Sequence, residues 1–127
     1  MESLTLPYDE FTVVNSGAKP DEATIETACD LLKTEGWQAA PLVVLNLDGT
    51  LHAVQTTAQS CALRRVADDW DFEREFEVPL LVIGYEEAYN LCQKAGMDWD
   101  TFLTQPLATQ QSLLRESGFE RCAEALG

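Results

Sequence analysis

Apolar residues in this chain recur with two periods, and the switches between them mark out its elements. Phe11-Thr12-Val13-Val14, β-branched and aromatic, predicts a strand within the first sixteen residues. Asn15-Ser16-Gly17 breaks it, and Pro20 suits the first turn of a helix. Ile25, Ala28, Cys29 and Leu32 then recur at helical spacing until Gly36. The dense run Leu42-Val43-Val44-Leu45-Asn46-Leu47 predicts a buried strand. Asp48-Gly49 predicts a tight hairpin turn, with Thr50 to Val54 running back antiparallel. Thr56 or Thr57 caps a helix whose stripe is Ala58, Cys61, Ala62 and Val66. Leu80 to Ile83 reads as another buried strand. Helices follow over Glu86 to Ala95, Trp99 to Leu103, Leu107 to Glu116 and Glu120 to Leu126.

The predicted fold class is α/β in the broad sense (α+β): a small mixed sheet with a β-hairpin, flanking helices and a helical C-terminal third. No linker or repeat interrupts it, so residues 1–127 read as one domain, with an α/β core over 1–84 and helices over 85–127.

Composition leaves the fold reading intact and changes the functional one. At 46% hydrophobic residues the chain is ordinary for a globular protein. Its charge is not: 22 Asp and Glu stand against 8 Lys and Arg, for a net −14. The halves before and after Leu63 share the excess equally, so the whole body is acidic. A phosphate backbone repels such a surface, which argues against direct nucleic-acid binding and for a cationic partner. With no long apolar span and no basic leader followed by a hydrophobic core, neither a membrane segment nor a secretory signal is expected. Cys29, Cys61, Cys92 and Cys122 lie far apart without CxxC spacing. They read as buried thiols of a reduced, cytoplasmic protein rather than as zinc ligands.

From about Lys19 to Ile83 the layout resembles the ParB/sulfiredoxin-like superfamily. The resemblance rests on a helix ending at Gly36-Trp37, the Leu42–Leu45 strand, the Asp48-Gly49 turn, a helix with Ala62-Leu63-Arg64, and the strand Val78-Pro79-Leu80-Leu81-Val82. It implies a nucleotide phosphate loop at the second helix, and as an alternative function a nucleotide-binding domain with nucleotidase, nuclease or partition-related activity. Asp48, His52, Gln59, Ser60 and Arg64 would form its site. The loop Thr56-Thr57-Ala58-Gln59-Ser60 departs from the family pattern, with Thr57 or Ala58 in place of glycine and Gln59-Ser60 in place of arginine. Those losses remove close backbone approach to a phosphate and its main counter-charge. Arg64 and Arg65 have a simpler reading as helix charges pairing with Asp68 and Asp69. His52 reads as a surface or edge residue of a strand. Cys61, near the loop where the sulfiredoxin branch carries a reactive cysteine, reads as structural. Asp98, Asp100, Glu86 and Glu87 read as helix N-terminal carboxylates rather than metal ligands.

The leading expectation is therefore a non-enzymatic acidic protein, without cofactor or metal, that engages the basic surface of another protein. In size and charge it resembles small phage-encoded inhibitors of the anti-CRISPR and anti-restriction kind, some of which mimic DNA. The binding residues expected are Asp68, Asp69, Asp71, Glu73, Glu75 and Glu77. In an extended segment Asp69, Asp71, Glu73, Glu75 and Glu77 share one side at about 6–7 Å spacing, while Trp70, Phe72 and Phe76 dock on the core.

Overall fold

A computed structural model describes residues 1–127. Its strands are β1 (Glu2–Pro7), β2 (Val13–Val14), β3 (Leu42–Leu47), β4 (Thr50–Ala53) and β5 (Glu77–Ile83). Its helices are α1 (Glu22–Glu35), α2 (Ala58–Ala67), α3 (Tyr85–Ala95), α4 (Trp99–Leu103), α5 (Leu107–Glu116) and α6 (Glu120–Ala125). The strands form one mixed sheet in the order β1-β5-β3-β4-β2. β3 lies at its centre, antiparallel to β4 and parallel to β5. This is the expected α+β architecture.

The apolar run of β3 is continuous because both its faces are covered. Leu42 and Val44, with Leu80 and Val82 of β5, face α1 and α2 through Ala28, Leu32, Ala62 and Val66. Val43, Leu45 and Leu47, with Leu81 and Ile83, face the C-terminal helices through Leu91, Phe102, Leu114 and Cys122. The period-2 alternation of strands thus divides one sheet between two cores. At the β3–β4 hairpin Asp48 and Gly49 both take positive φ, 54° and 83°, as a type I′ turn demands, and Asn46 Oδ1 accepts from the Gly49 N–H at 3.0 Å.

Three expectations need correction. The strand placed at Phe11–Val14 shrinks to Val13–Val14, which pairs parallel with Leu51 and His52. An unexpected edge strand, β1, pairs antiparallel with β5 from Glu2↔Val82 to Pro7↔Glu77. Its signal is a two-leucine alternation, Leu4 and Leu6, too short to stand out from the polar residues around it. Pro20 precedes α1 rather than opening it. Asp21 is the cap, its carboxylate accepting from the Thr24 hydroxyl at 2.7 Å and the Thr24 N–H at 2.8 Å, which hold its pKa below the usual carboxylate range.

Candidate functional site

The five residues of the nucleotide reading are not brought together. Asp48 sits at the hairpin tip and α2 begins beyond the far end of β4, so that strand, about 13 Å at ~3.3 Å per residue, separates them. His52 lies mid-strand on β4, half-buried, with its Nδ1 buried and unpartnered. Ser60 and Arg64 line a cleft of about 100 Å³ with Tyr8 and Phe11, whereas Gln59 lines a separate one against Trp37. Small-molecule sites usually span roughly 300–1,000 Å³.

The start of α2 is already closed by its own side chains. Thr57 Oγ1 accepts from the Ser60 N–H at 3.1 Å, and Ser60 Oγ accepts from the Thr57 N–H at 2.9 Å. That reciprocal pair is a capping box with serine in the third position. Ser60, 1% exposed, lies 2.7 Å from Asn15 Oδ1, and the Ser16 N–H donates to Thr56 Oγ1 at 3.0 Å. The N–H groups of Thr57 and Ser60, which a phosphate could have used, are spent within this cap, and the Ser60 hydroxyl is spent on Asn15. Arg64 lies 3.7 Å from Asp68, as its helix spacing suggests. Arg65 turns instead to Glu22, with Nη2 2.9 Å from Oε2, so the expected Arg65–Asp69 pair does not form.

The cysteines are free thiols. Cys92 and Cys122 are buried; Cys29 and Cys61, expected to be buried too, are half-exposed. Burial pushes the thiols of Cys29, Cys92 and Cys122 up, Cys122 to about 11. Of the acids considered as ligands, Asp98 caps α4 by accepting from the Thr101 N–H at 2.8 Å, and Glu87 pairs with the Met1 amine. No group of three or more His, Cys, Asp or Glu side chains converges as a metal site would. A recess of about 490 Å³ opens between α3 and α4 beside Tyr89, Met97 and Trp99.

The connector from Asp68 to Glu77 has a geometry different from the expected flat ribbon. It is irregular until Glu77 joins β5. Phe72 and Phe76 dock as expected, around Tyr8, which stacks on Phe76 at 4.6 Å and meets Phe72 edge-on at 5.7 Å. The Tyr8 N–H also donates to the Phe76 carbonyl at 3.1 Å. Burial, and then the Asp9 and Glu75 carboxylates, push the Tyr8 phenol up. Trp70 does not dock. It is 98% exposed, because Trp70 and Asp71 form the outer corner of a turn closed by the Phe72 N–H to the Asp69 carbonyl at 3.1 Å.

Asp69 also leaves the expected row. It accepts from Lys33 Nζ of α1 and from the Asp71 N–H at 3.0 Å. These bonds, Lys33 first, hold its carboxyl below the usual range. Asp68 caps the end of α2 beside Arg64. The connector's one cation, Arg74, donates to the Thr34 carbonyl of α1. Asp71, Glu73, Glu75 and Glu77 are left exposed and without an ion pair, since the four ion pairs of the chain use Glu22, Asp68, Asp69 and Glu87. Fixing which carboxylates stay free needs tertiary contacts: helix spacing offered Asp69 a partner in Arg65, and no sequence signal pointed to Lys33. No protein family, curated protein or solved structure matches the chain.

Proposed function

We propose that this chain is a non-enzymatic binding protein whose acidic surface engages a basic, nucleic-acid-binding surface of a partner protein, as a DNA mimic does. Inhibitors of the anti-CRISPR or anti-restriction kind would act in this way. The carrying observation is the connector: four exposed carboxylates, Asp71, Glu73, Glu75 and Glu77, lie unpaired while Arg74 is turned back onto α1. Across the chain, ion pairs engage four of the 22 side-chain carboxylates. Such a surface lowers its electrostatic energy when it meets a lysine- and arginine-lined groove, and the long-range field speeds the encounter. The nucleotide alternative has less to stand on, because the start of α2 is capped from within and Asp48 lies a strand's length away.

The test is titration with an arginine–serine repeat peptide at rising salt. The parent chain should bind with a steep salt dependence and should leave duplex DNA unbound. Replacing Asp71 by Asn and Glu73 and Glu75 by Gln together should weaken the peptide about tenfold and flatten that dependence. Equal binding at low salt, with an unchanged circular dichroism spectrum, rules out the connector as the binding face.

A further inference from the structure

A tryptophan left 98% exposed is unusual, since its large apolar surface is ordinarily buried. Trp70 is held out by a braced turn. On one side Asp69 is tied to Lys33 of α1 and to the Asp71 N–H. On the other, Phe72 is wedged against Tyr8 and Phe76. The Asp68 N–H donates to the Arg64 carbonyl and the Asp69 N–H to the Val66 carbonyl, so the turn continues directly from α2. A side chain displayed on a preformed turn loses little conformational freedom on binding.

Asp68, Asp69 and Asp71 surround the indole in sequence, and Asp71 makes no ion pair. A bare aromatic face followed in the chain by the unpaired Asp71 suits a planar cation: a guanidinium stacks on the ring while its edge hydrogen-bonds a carboxylate. Resting on the proposed function and deepening it, we infer that Trp70 is the anchor of the interface and takes an arginine side chain of the basic partner, with Asp71 as its counter-charge.

The experiment compares Trp70→Ala, Trp70→Leu and Trp70→Phe in binding an arginine–serine repeat peptide and a lysine–serine repeat peptide of equal length. The indole makes no core contact, so these variants should fold like the parent. Ala and Leu should weaken the arginine peptide about five- to thirtyfold and abolish its advantage over the lysine peptide. Phe should retain part of both. Parent-like binding by the Ala variant overturns the inference, and so does full rescue by Leu, which is apolar without a π face. The acidic reading fails separately. If a Glu73, Glu75 and Glu77 triple variant, which keeps Asp71, binds like the parent while Trp70→Ala does not, the anchor stands and the charge row falls; the reverse pattern removes the anchor alone.

Discussion

The two faces of the sheet are finished in opposite ways. On one, α3, α4, α5 and α6 close over Leu45, Ile83 and Phe102, and even their buried polar group is satisfied. Gln110, 0% exposed, donates from Nε2 to the carbonyls of Val54 at 2.9 Å and Phe102 at 2.8 Å, and its Oε1 accepts from Gln55. On the other face, α1 and α2 leave an end that an irregular acidic connector closes with an aromatic cluster of three rings. The helical layer thus satisfies its buried polar side chain from within. The connector keeps four unpaired carboxylates and a 98% exposed indole facing water, and it is there that we propose the partner docks.

The sharpest way to break this comparison is inside the satisfied layer. Gln110→Leu keeps the volume but leaves the Val54 carbonyl without its side-chain donor, takes one of two donors from the Phe102 carbonyl, which keeps the Gln105 N–H, and frees the Gln55 amide, and it should cost about 1–3 kcal/mol. Chemical denaturation measures it directly. A loss below about half a kcal/mol would show that the polar lock between the β4–α2 loop, α4 and α5 is dispensable. Binding to a basic peptide should be unchanged.

A smaller effect is expected at Gly36, where α1 ends against the connector. Its φ of 77° with ψ of −157° is a glycine conformation, and an added Cβ would stand 3.2 Å from the Phe76 Cβ. Gly36→Ala should destabilise by about 1–2 kcal/mol and loosen the Tyr8–Phe76 stack. Trypsin cleavage after Arg74 should then accelerate, and binding should weaken because the displayed row is no longer held. Unaltered cleavage kinetics would mean that the connector does not depend on this packing.

The smallest effect concerns the brace under Trp70. Its hydrogen bond with Lys33 favours ionised Asp69 in the folded state. A lowered folded pKa gives a contribution that is present above the unfolded value, near 3.9, and lost as the pH falls through the folded one. The Asp71 amide, which donates to Asp69, should report this by nuclear magnetic resonance with a titration midpoint below about 3.9. In Lys33→Met the midpoint should move up with little change in overall stability. A midpoint indifferent to Lys33 would separate the turn from α1.

The helical layer was largely legible from the chain. Apolar spacing and glycine stops located α3 to α6 within a residue or so, because each helix's own period and caps specify it. The hairpin was equally local, resting on the positive φ that Asp48 and Gly49 supply. The connector was half legible. Phe72 and Phe76 were expected on the core and lie there, yet Trp70, of the same chemical class, was expected beside them and stands in solvent. The closure of α2's start was also hidden, since Asn15, Ser16, Thr56 and Ser60 meet only after folding.

By itself the sequence determined most of the elements, β1 excepted, the sheet-and-helix class and the acidity of the whole body. These follow from side-chain period, turn chemistry and charge count, which act within a few residues or add up regardless of arrangement. The tertiary structure alone decided that β1 pairs with β5, that Arg74 turns to Thr34, and that Lys33 takes Asp69 out of the acidic row. Each is a contact across more than thirty positions of chain, set by where the sheet and α1 lie. Short-range pattern carries no information about such distances, so which charges remain free is a property of the fold.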